Sequence, residues 1–113
     1  MIQLLLRMTL PPARDKYILE ALRSVMLPAR LERGCAHAQI LRDIDTPELV
    51  SYVEEWPRQE DIQERIESGP FSHLLSLMEA APSVPSIEFR TVSEVRGLDY
   101  VAAVRATHSL RAR

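Results

Sequence analysis

The chain has 113 residues, 46% of them hydrophobic and 27% charged, a composition typical of one globular domain with one core. A formal net charge of −2 excludes the strongly basic surface that nucleic acids or anionic membranes select. The single cysteine, Cys35, excludes an intrachain disulfide and metal sites built on cysteine pairs. The apolar run near the start is too short for a signal peptide, so we expect a cytoplasmic location.

The first predicted elements are a strand and a helix. Residues 2–9 are dense in Leu and Ile and stop before two prolines, which predicts a buried strand. Leu4 and Leu6 would point to one face of it, and Leu5 to the other. Apolar residues then recur with helical spacing at Ile18, Ala21, Leu22, Val25 and Met26. We expect Pro28 to break or kink this helix and Gly34 to terminate it in the left-handed conformation.

A hairpin is predicted next. Residues 35–42 and 48–56 have strand character, and the turn-forming residues 43–47 separate them. Because this connection is short, the two strands must be antiparallel neighbours. In the second of them, Leu49 and Val53 alternate with residues of the other face, namely Val50, Tyr52 and Trp56.

Helical periodicity returns after Pro57. Ile62 and Ile66 are predicted to share one helix face, and residues 68–70 interrupt the helix. A further helical stripe is predicted at Phe71, Leu74, Leu75 and Met78. Residues 87–95 alternate as a fourth strand. We place the domain at residues 1–96 and a partly helical C-terminal tail, packed on a partner subunit, at residues 97–113.

This order predicts an α+β fold of the ferredoxin-like βαββαβ kind, with a four-stranded antiparallel sheet. Two crossover helices can cover only one face of such a sheet. Since Leu5 points to the other face, we expect a second copy of the chain to cover it in a two-fold homodimer.

The end of the third strand offers the best candidate for a binding site. Trp56 provides a flat surface for an aromatic ligand, and Glu54 lies on the same strand face. The alternative is that Trp56 packs only in the core. The three histidines (His37, His73 and His108) lack metal-ligand spacing on a helix, and Cys35 is interpreted as a buried, inert thiol.

Five segments together resemble the antibiotic biosynthesis monooxygenase family, over about residues 2–105. They are Gly34–Cys35, the turn 43–47, the strand Val53–Trp56, the segment Ser68–Phe71 and the tail Arg96–Tyr100. The resemblance implies a dimeric α/β barrel with a pocket between sheet and helices in each subunit. It also implies oxygenation of an electron-rich phenol or quinol by molecular oxygen with no metal, flavin or other cofactor.

This resemblance assigns four candidate site residues. Arg65 stands where many family members carry His, and would hold a phenolate or the developing negative charge. Glu54 is the candidate base, Trp56 would stack on the substrate, and Phe71 would line the pocket. The expected partners are a small aromatic substrate and oxygen, with neither nucleic acid nor membrane.

Three departures from the family pattern support a second interpretation. Arg65 replaces the usual His, Ala38 stands where an aromatic residue is common, and the chain has no Asn. Arginine stays protonated and cannot act as a base. The alternative function is therefore a non-catalytic dimeric binding or accessory module. A separate alternative concerns the placement of Arg65, which would face solvent and pair with Asp61.

Overall fold

The structure is a computed structural model that describes residues 1–111. Its helices and strands follow in the order β1 (Ile2–Thr9), α1 (Asp15–Leu31), β2 (His37–Arg42), β3 (Leu49–Trp56), α2 (Gln59–Glu67), α3 (Phe71–Glu79), β4 (Ser86–Thr91) and α4 (Leu98–Arg111). The strands form one antiparallel sheet in the order β2–β3–β1–β4. This arrangement confirms the predicted ferredoxin-like fold class.

The register of β1 and β3 fixes what each face of the sheet carries. Leu4 lies opposite Glu54, and Leu6 lies opposite Tyr52. Paired residues project to the same face, and these four side chains are buried in the core under the helices. Leu5 pairs with Val53 on the open face, where both stay buried although they are not part of that main core.

Helix α1 packs its apolar stripe on the sheet, with Ile18, Leu22, Met26 and Ala29 buried. Of the break or kink expected at Pro28, the break is wrong, because α1 continues through this residue to Leu31. Pro28 lies on the exposed side of the helix. The carbonyl that loses its helical donor there can therefore be solvated, which lowers the cost of an internal proline.

The second helical region divides into α2 and α3, as the residues Ser68–Pro70 predicted. The prediction that Ile62 and Ile66 share an apolar helix face is confirmed for Ile62 and wrong for Ile66. Ile62 is buried, but Ile66 is 42% exposed and Arg65 takes the inward position. In α3, Phe71 and Leu74 are buried as predicted, whereas Leu75 is exposed.

The C-terminal region differs from the sequence prediction in its lengths. Strand β4 ends at Thr91 rather than at residue 95, and α4 is a 14-residue helix whose residues 98–111 include no buried one. Residues 112–113 of the predicted tail lie outside the described residues. No helix within residues 1–111 combines the length and apolarity needed to cross a membrane.

Candidate active site

Four side chains from β3 and α2 meet beneath the helices. Tyr52, Glu54 and Trp56 project from one face of β3 because strand side chains alternate, and Arg65 projects toward them from α2. All four are buried. We call these four residues the Glu54 cluster.

The Glu54 carboxylate is the acceptor at the centre of the cluster. Its Oε1 accepts from Trp56 Nε1 at 3.1 Å and from Arg65 Nε at 3.2 Å. Its Oε2 accepts from Arg65 Nη2 at 2.9 Å and from the Tyr52 hydroxyl. A carboxylate has about four acceptor sites, so these donors saturate it, and Arg65 binds it in the bidentate geometry that makes such pairs strong.

Arg65 also faces two groups outside the cluster. Its Nη1 lies 3.5 Å from Oε1 of Glu32, a residue that follows the end of α1 and whose side chain is partly exposed. Its guanidinium carbon is 5.5 Å from the centroid of the Phe71 ring, within the range of a cation–π contact. The guanidinium is therefore held between two carboxylates and an aromatic ring.

Burial sets the electrostatics of the cluster. Glu54 is 0% exposed and Arg65 1%, and they are the two buried charged residues of the described chain. Every buried side-chain polar atom within residues 1–111 has a hydrogen-bond partner. Desolvating two charges is costly and is offset only when the pair is close and fully hydrogen-bonded, as it is here.

Two pKa shifts follow from this environment. Burial, followed by the charge and hydrogen bond of Glu54, raises the pKa of Tyr52 far above its usual value. For Arg65, burial acts to lower the pKa, but the hydrogen bond and charge of Glu54 outweigh it and raise the pKa overall. Tyr52 thus stays a neutral donor and Arg65 stays a cation.

The sequence matches the family model described as antibiotic biosynthesis monooxygenase over residues 1–75. The chain belongs to the antibiotic biosynthesis monooxygenase family. A comparison with curated proteins finds no match to it.

Solved structures share the fold of this family member. A Deinococcus radiodurans protein, provisionally named an antibiotic biosynthesis monooxygenase, aligns with a TM-score of 0.78 and 12% identity, covering 86% of this chain and 97% of that one. A Nitrosomonas europaea protein with the same provisional name aligns with a TM-score of 0.72 and 14% identity, covering 83% of this chain and 100% of that one. A third structure, named antibiotic biosynthesis monooxygenase, aligns with a TM-score of 0.70 and 18% identity, covering 83% of this chain and 100% of that one. At these identities the likeness establishes the fold alone.

The structure brings all four residues assigned from the family resemblance into one place. Glu54, Trp56 and Arg65 are directly hydrogen-bonded, and Phe71 lies against Arg65. Sequence reasoning did not assign Tyr52 or Glu32 to the site. The strand alternation that placed Glu54 beside Trp56 also applies to Tyr52, whereas nothing local indicated Glu32.

The alternative placement of Arg65, exposed and paired with Asp61, is wrong. Asp61 instead packs against Gly34, where an added Cβ would lie 2.4 Å from its Oδ2. Gly34 has the predicted left-handed conformation, with a φ of +89°. Its predicted role as the residue that ends the helix is wrong, because α1 ends at Leu31 with an extended Glu32 as its C-cap. The contact between Asp61 and Gly34 fixes the start of α2 against the end of α1, and so helps to position Arg65.

Other candidate residues lie apart from this chemistry. Cys35 is only partly buried, so the buried position expected for it is wrong. Its thiol donates weakly to the backbone of His37, and partial burial raises its pKa, as suits an inert cysteine. His37 and His73 are exposed. Within residues 1–111, no three or more His, Cys, Asp or Glu side chains are grouped to hold a metal ion.

Proposed function

We propose that this chain is a cofactor-independent monooxygenase that acts on an electron-rich hydroxyaromatic, a quinol or anthrone-like compound, with molecular oxygen. The observation that carries the proposal is the buried Glu54–Arg65 pair beside Trp56 and Phe71. Hydrophobic residues of similar volume can replace such a pair with no loss of stability. The presence of an acid and a cation in the core therefore favours a chemical role over a purely structural one.

Each residue has a role in this proposal. Glu54 takes the proton that activates the substrate, and Arg65 holds the resulting phenolate or enolate oxygen. Trp56 stacks on the ring system, and Phe71 lines the same space. Tyr52 donates to Glu54 and orients it. Glu32 accepts a hydrogen bond from Nη1 of Arg65 and orients the outer side of its guanidinium.

The reaction balances without a further reductant. For an anthrone, the substrate CH₂ and O₂ become a carbonyl and one water, so the substrate supplies all four electrons. Deprotonation raises the electron density of the ring, which lets it pass an electron directly to oxygen. The oxygen–oxygen bond then breaks as one oxygen stays on carbon and the other leaves as water.

Access to the cluster requires movement, because Glu54 and Trp56 have no exposed surface. We assign this movement to α2, in which Ile62 and Arg65 are the two buried residues of nine. When α2 moves outward, Arg65 separates from Glu54. A bound phenolate then replaces Glu54 as the partner of Arg65, and Glu54 becomes free to accept a proton.

Oxygen uptake by metal-stripped protein, measured with a panel of naphthohydroquinones and anthrones, tests this function. We expect uptake above the spontaneous rate, and a loss of roughly 100-fold or more in Glu54→Gln, the scale of one general base. Glu55→Gln is the matched control, since Glu55 is the next residue on β3 but lies on the open face, within reach of Gln3. Equal rates for the two variants, or no uptake with any substrate, would contradict the proposal.

A second candidate function is a non-catalytic ligand-binding module. This function is favoured because the hydrogen bonds of Glu54 and Arg65 are already made within the protein. Glu54 is saturated with donors, and Arg65 is bonded to Glu54 and Glu32 without any ligand. Quenching of the single tryptophan, Trp56, by hydroxynaphthoquinones separates the two functions. Saturable quenching without oxygen uptake by the corresponding quinols would establish the binding module.

We also propose that the chain acts as a two-fold homodimer joined through the open face of the sheet. The support is the apolar pair Leu5 and Val53 at the centre of that face. Helix α4, which buries no residue within its own chain, would pack on the partner subunit. Helix α4 would thereby gain the apolar cover that its own chain does not give it.

A further inference from the structure

A cavity separate from the Glu54 cluster lies between the first turn of α1 and the last turn of α3. It has a volume of about 250 Å³ and is lined by Arg14, Tyr17, Ile18, Leu77, Ala80 and Ala81. We call it the α1/α3 cleft. None of its lining residues belongs to the Glu54 cluster or contacts it through a hydrogen bond.

The topology places this cleft at the opposite end of the helix layer from Trp56. Trp56 pairs with Ile2 at the start of β1, whereas α1 begins just beyond the other end of that strand. Helix α3 runs back toward the same end, where it leads into β4. The α1/α3 cleft is therefore a separate site, and its proposed role does not depend on the oxygenase function.

The chemistry of the lining is that of a small amphiphilic site. Ile18 is 5% exposed and forms the floor, and the side chains from α3 are all aliphatic. Tyr17 and Arg14 lie at the exposed rim, and Tyr17 keeps 75% of its surface accessible. An aromatic ring with one cation at the edge of an apolar cavity suits a ligand with an apolar body and an anionic end.

The cation at this rim is available to a ligand. Arg14 forms no ion pair within 4 Å with any carboxylate of residues 1–111, and the adjacent Asp15 is already paired with Arg42. A guanidinium binds a carboxylate in bidentate geometry. A cavity of about 150 Å³ accommodates benzene, so 250 Å³ admits one or two fused rings.

We propose that the α1/α3 cleft binds an aromatic carboxylate of one or two rings. Its ring system lies on Ile18 and Leu77 and against the edge of Tyr17, and its carboxylate pairs with Arg14. The helices hold the lining residues in place, so the site is present before the ligand arrives.

A titration of ¹⁵N-labelled protein with 2-naphthoate, followed by two-dimensional NMR, tests the proposal. We expect saturable shifts confined to residues near 14–18 and 77–81, and little change at the Trp56 indole. Arg14→Gln should weaken binding about tenfold, the scale of one charge-assisted hydrogen bond. The uncharged 2-naphthamide should bind the parent protein more weakly than 2-naphthoate by a similar factor.

Two further variants complete the test. Arg23→Gln removes an exposed arginine further along, within α1, and should bind 2-naphthoate like the parent. Ala80→Phe places a ring over the cleft from an exposed position, so it should fold normally and abolish binding. The proposal fails if no saturable shift appears at millimolar 2-naphthoate, if Arg14→Gln binds like the parent, or if the shifts centre on Trp56.

Discussion

The buried ion pair predicts an unusually large stability effect for one substitution, Arg65→Met. This change keeps most of the side-chain volume beside Phe71 but removes both guanidinium donors to Glu54. The carboxylate is then buried without a counter-charge, and losing one partner of such a pair costs about 3–5 kcal/mol. A domain of 113 residues has a total stability of roughly 6–17 kcal/mol, so this loss is a large share.

The assay is urea unfolding followed by circular dichroism, with thermal unfolding in parallel. We expect Arg65→Met to lower the melting temperature by roughly 10–20 °C. Glu54→Gln alone should also destabilise, because Arg65 is then left with only the long contact to Glu32. The double variant should be at least about 2 kcal/mol more stable than the sum of the single effects implies, since no unpaired charge remains.

The matched control is the exposed pair of Arg90 with Glu88 on β4, which has the same residue types. Arg90→Met should cost less than about 1 kcal/mol, as surface pairs do. A cost below about 1 kcal/mol for Arg65→Met as well, or strictly additive effects in the double variant, would refute the description of Glu54 and Arg65 as a buried, mutually dependent pair.

Three further predictions follow from other contacts. Folding keeps the Tyr52 phenol protonated, so its contribution to the free energy of unfolding is complete below about pH 10, where the unfolded chain begins to ionise it, and is lost as the pH rises further. The increase in phenolate absorbance at 295 nm that accompanies alkaline unfolding should therefore shrink by one tyrosine in Tyr52→Phe. In the control variant Tyr17→Phe, this increase should stay coupled to unfolding. Sedimentation equilibrium should give a dimer of twice the 12.9 kDa chain mass, and Leu5→Glu should give a monomer, whereas a folded parent monomer at micromolar concentration would exclude the dimer. Gly34→Ala should lose at least about 1–2 kcal/mol of unfolding free energy in urea because of the positive φ, and more because its Cβ would overlap the Asp61 side chain; Gly97→Ala, whose added Cβ meets nothing within 4 Å, serves as its control.

The sheet could be predicted from the sequence because its determinants are local. Three local signals indicate where the strands lie and where they end, without reference to distant residues. They are the alternation of apolar residues, the turn at residues 43–47 and the prolines after β1. The left-handed conformation of Gly34 is similarly local. The helix break expected at Pro28 does not occur, because the free-energy cost of a proline inside a helix depends on whether it is exposed, and exposure is determined by the fold.

The site could be predicted only in part. Strand alternation placed Glu54 and Trp56 on one face, and the structure has them hydrogen-bonded to each other. Helical periodicity alone favoured Ile66 over Arg65 as the inward residue of α2. The reverse holds because Glu54, eleven residues earlier and on another element, offers a buried carboxylate whose charge the Arg65 guanidinium balances. Such a long-range electrostatic requirement leaves no periodic pattern in one sequence.

The most direct test of the proposed function is the fate of oxygen itself. Metal-stripped protein is supplied with an anthrone under ¹⁸O₂, and the initial rate of labelled quinone is measured by mass spectrometry against a protein-free reaction. We predict quinone that carries one ¹⁸O atom, formed faster than in the protein-free reaction, and a rate roughly 100-fold lower in Glu54→Gln. Labelled quinone that forms no faster with the parent protein than without it would contradict oxygenation at the Glu54 cluster.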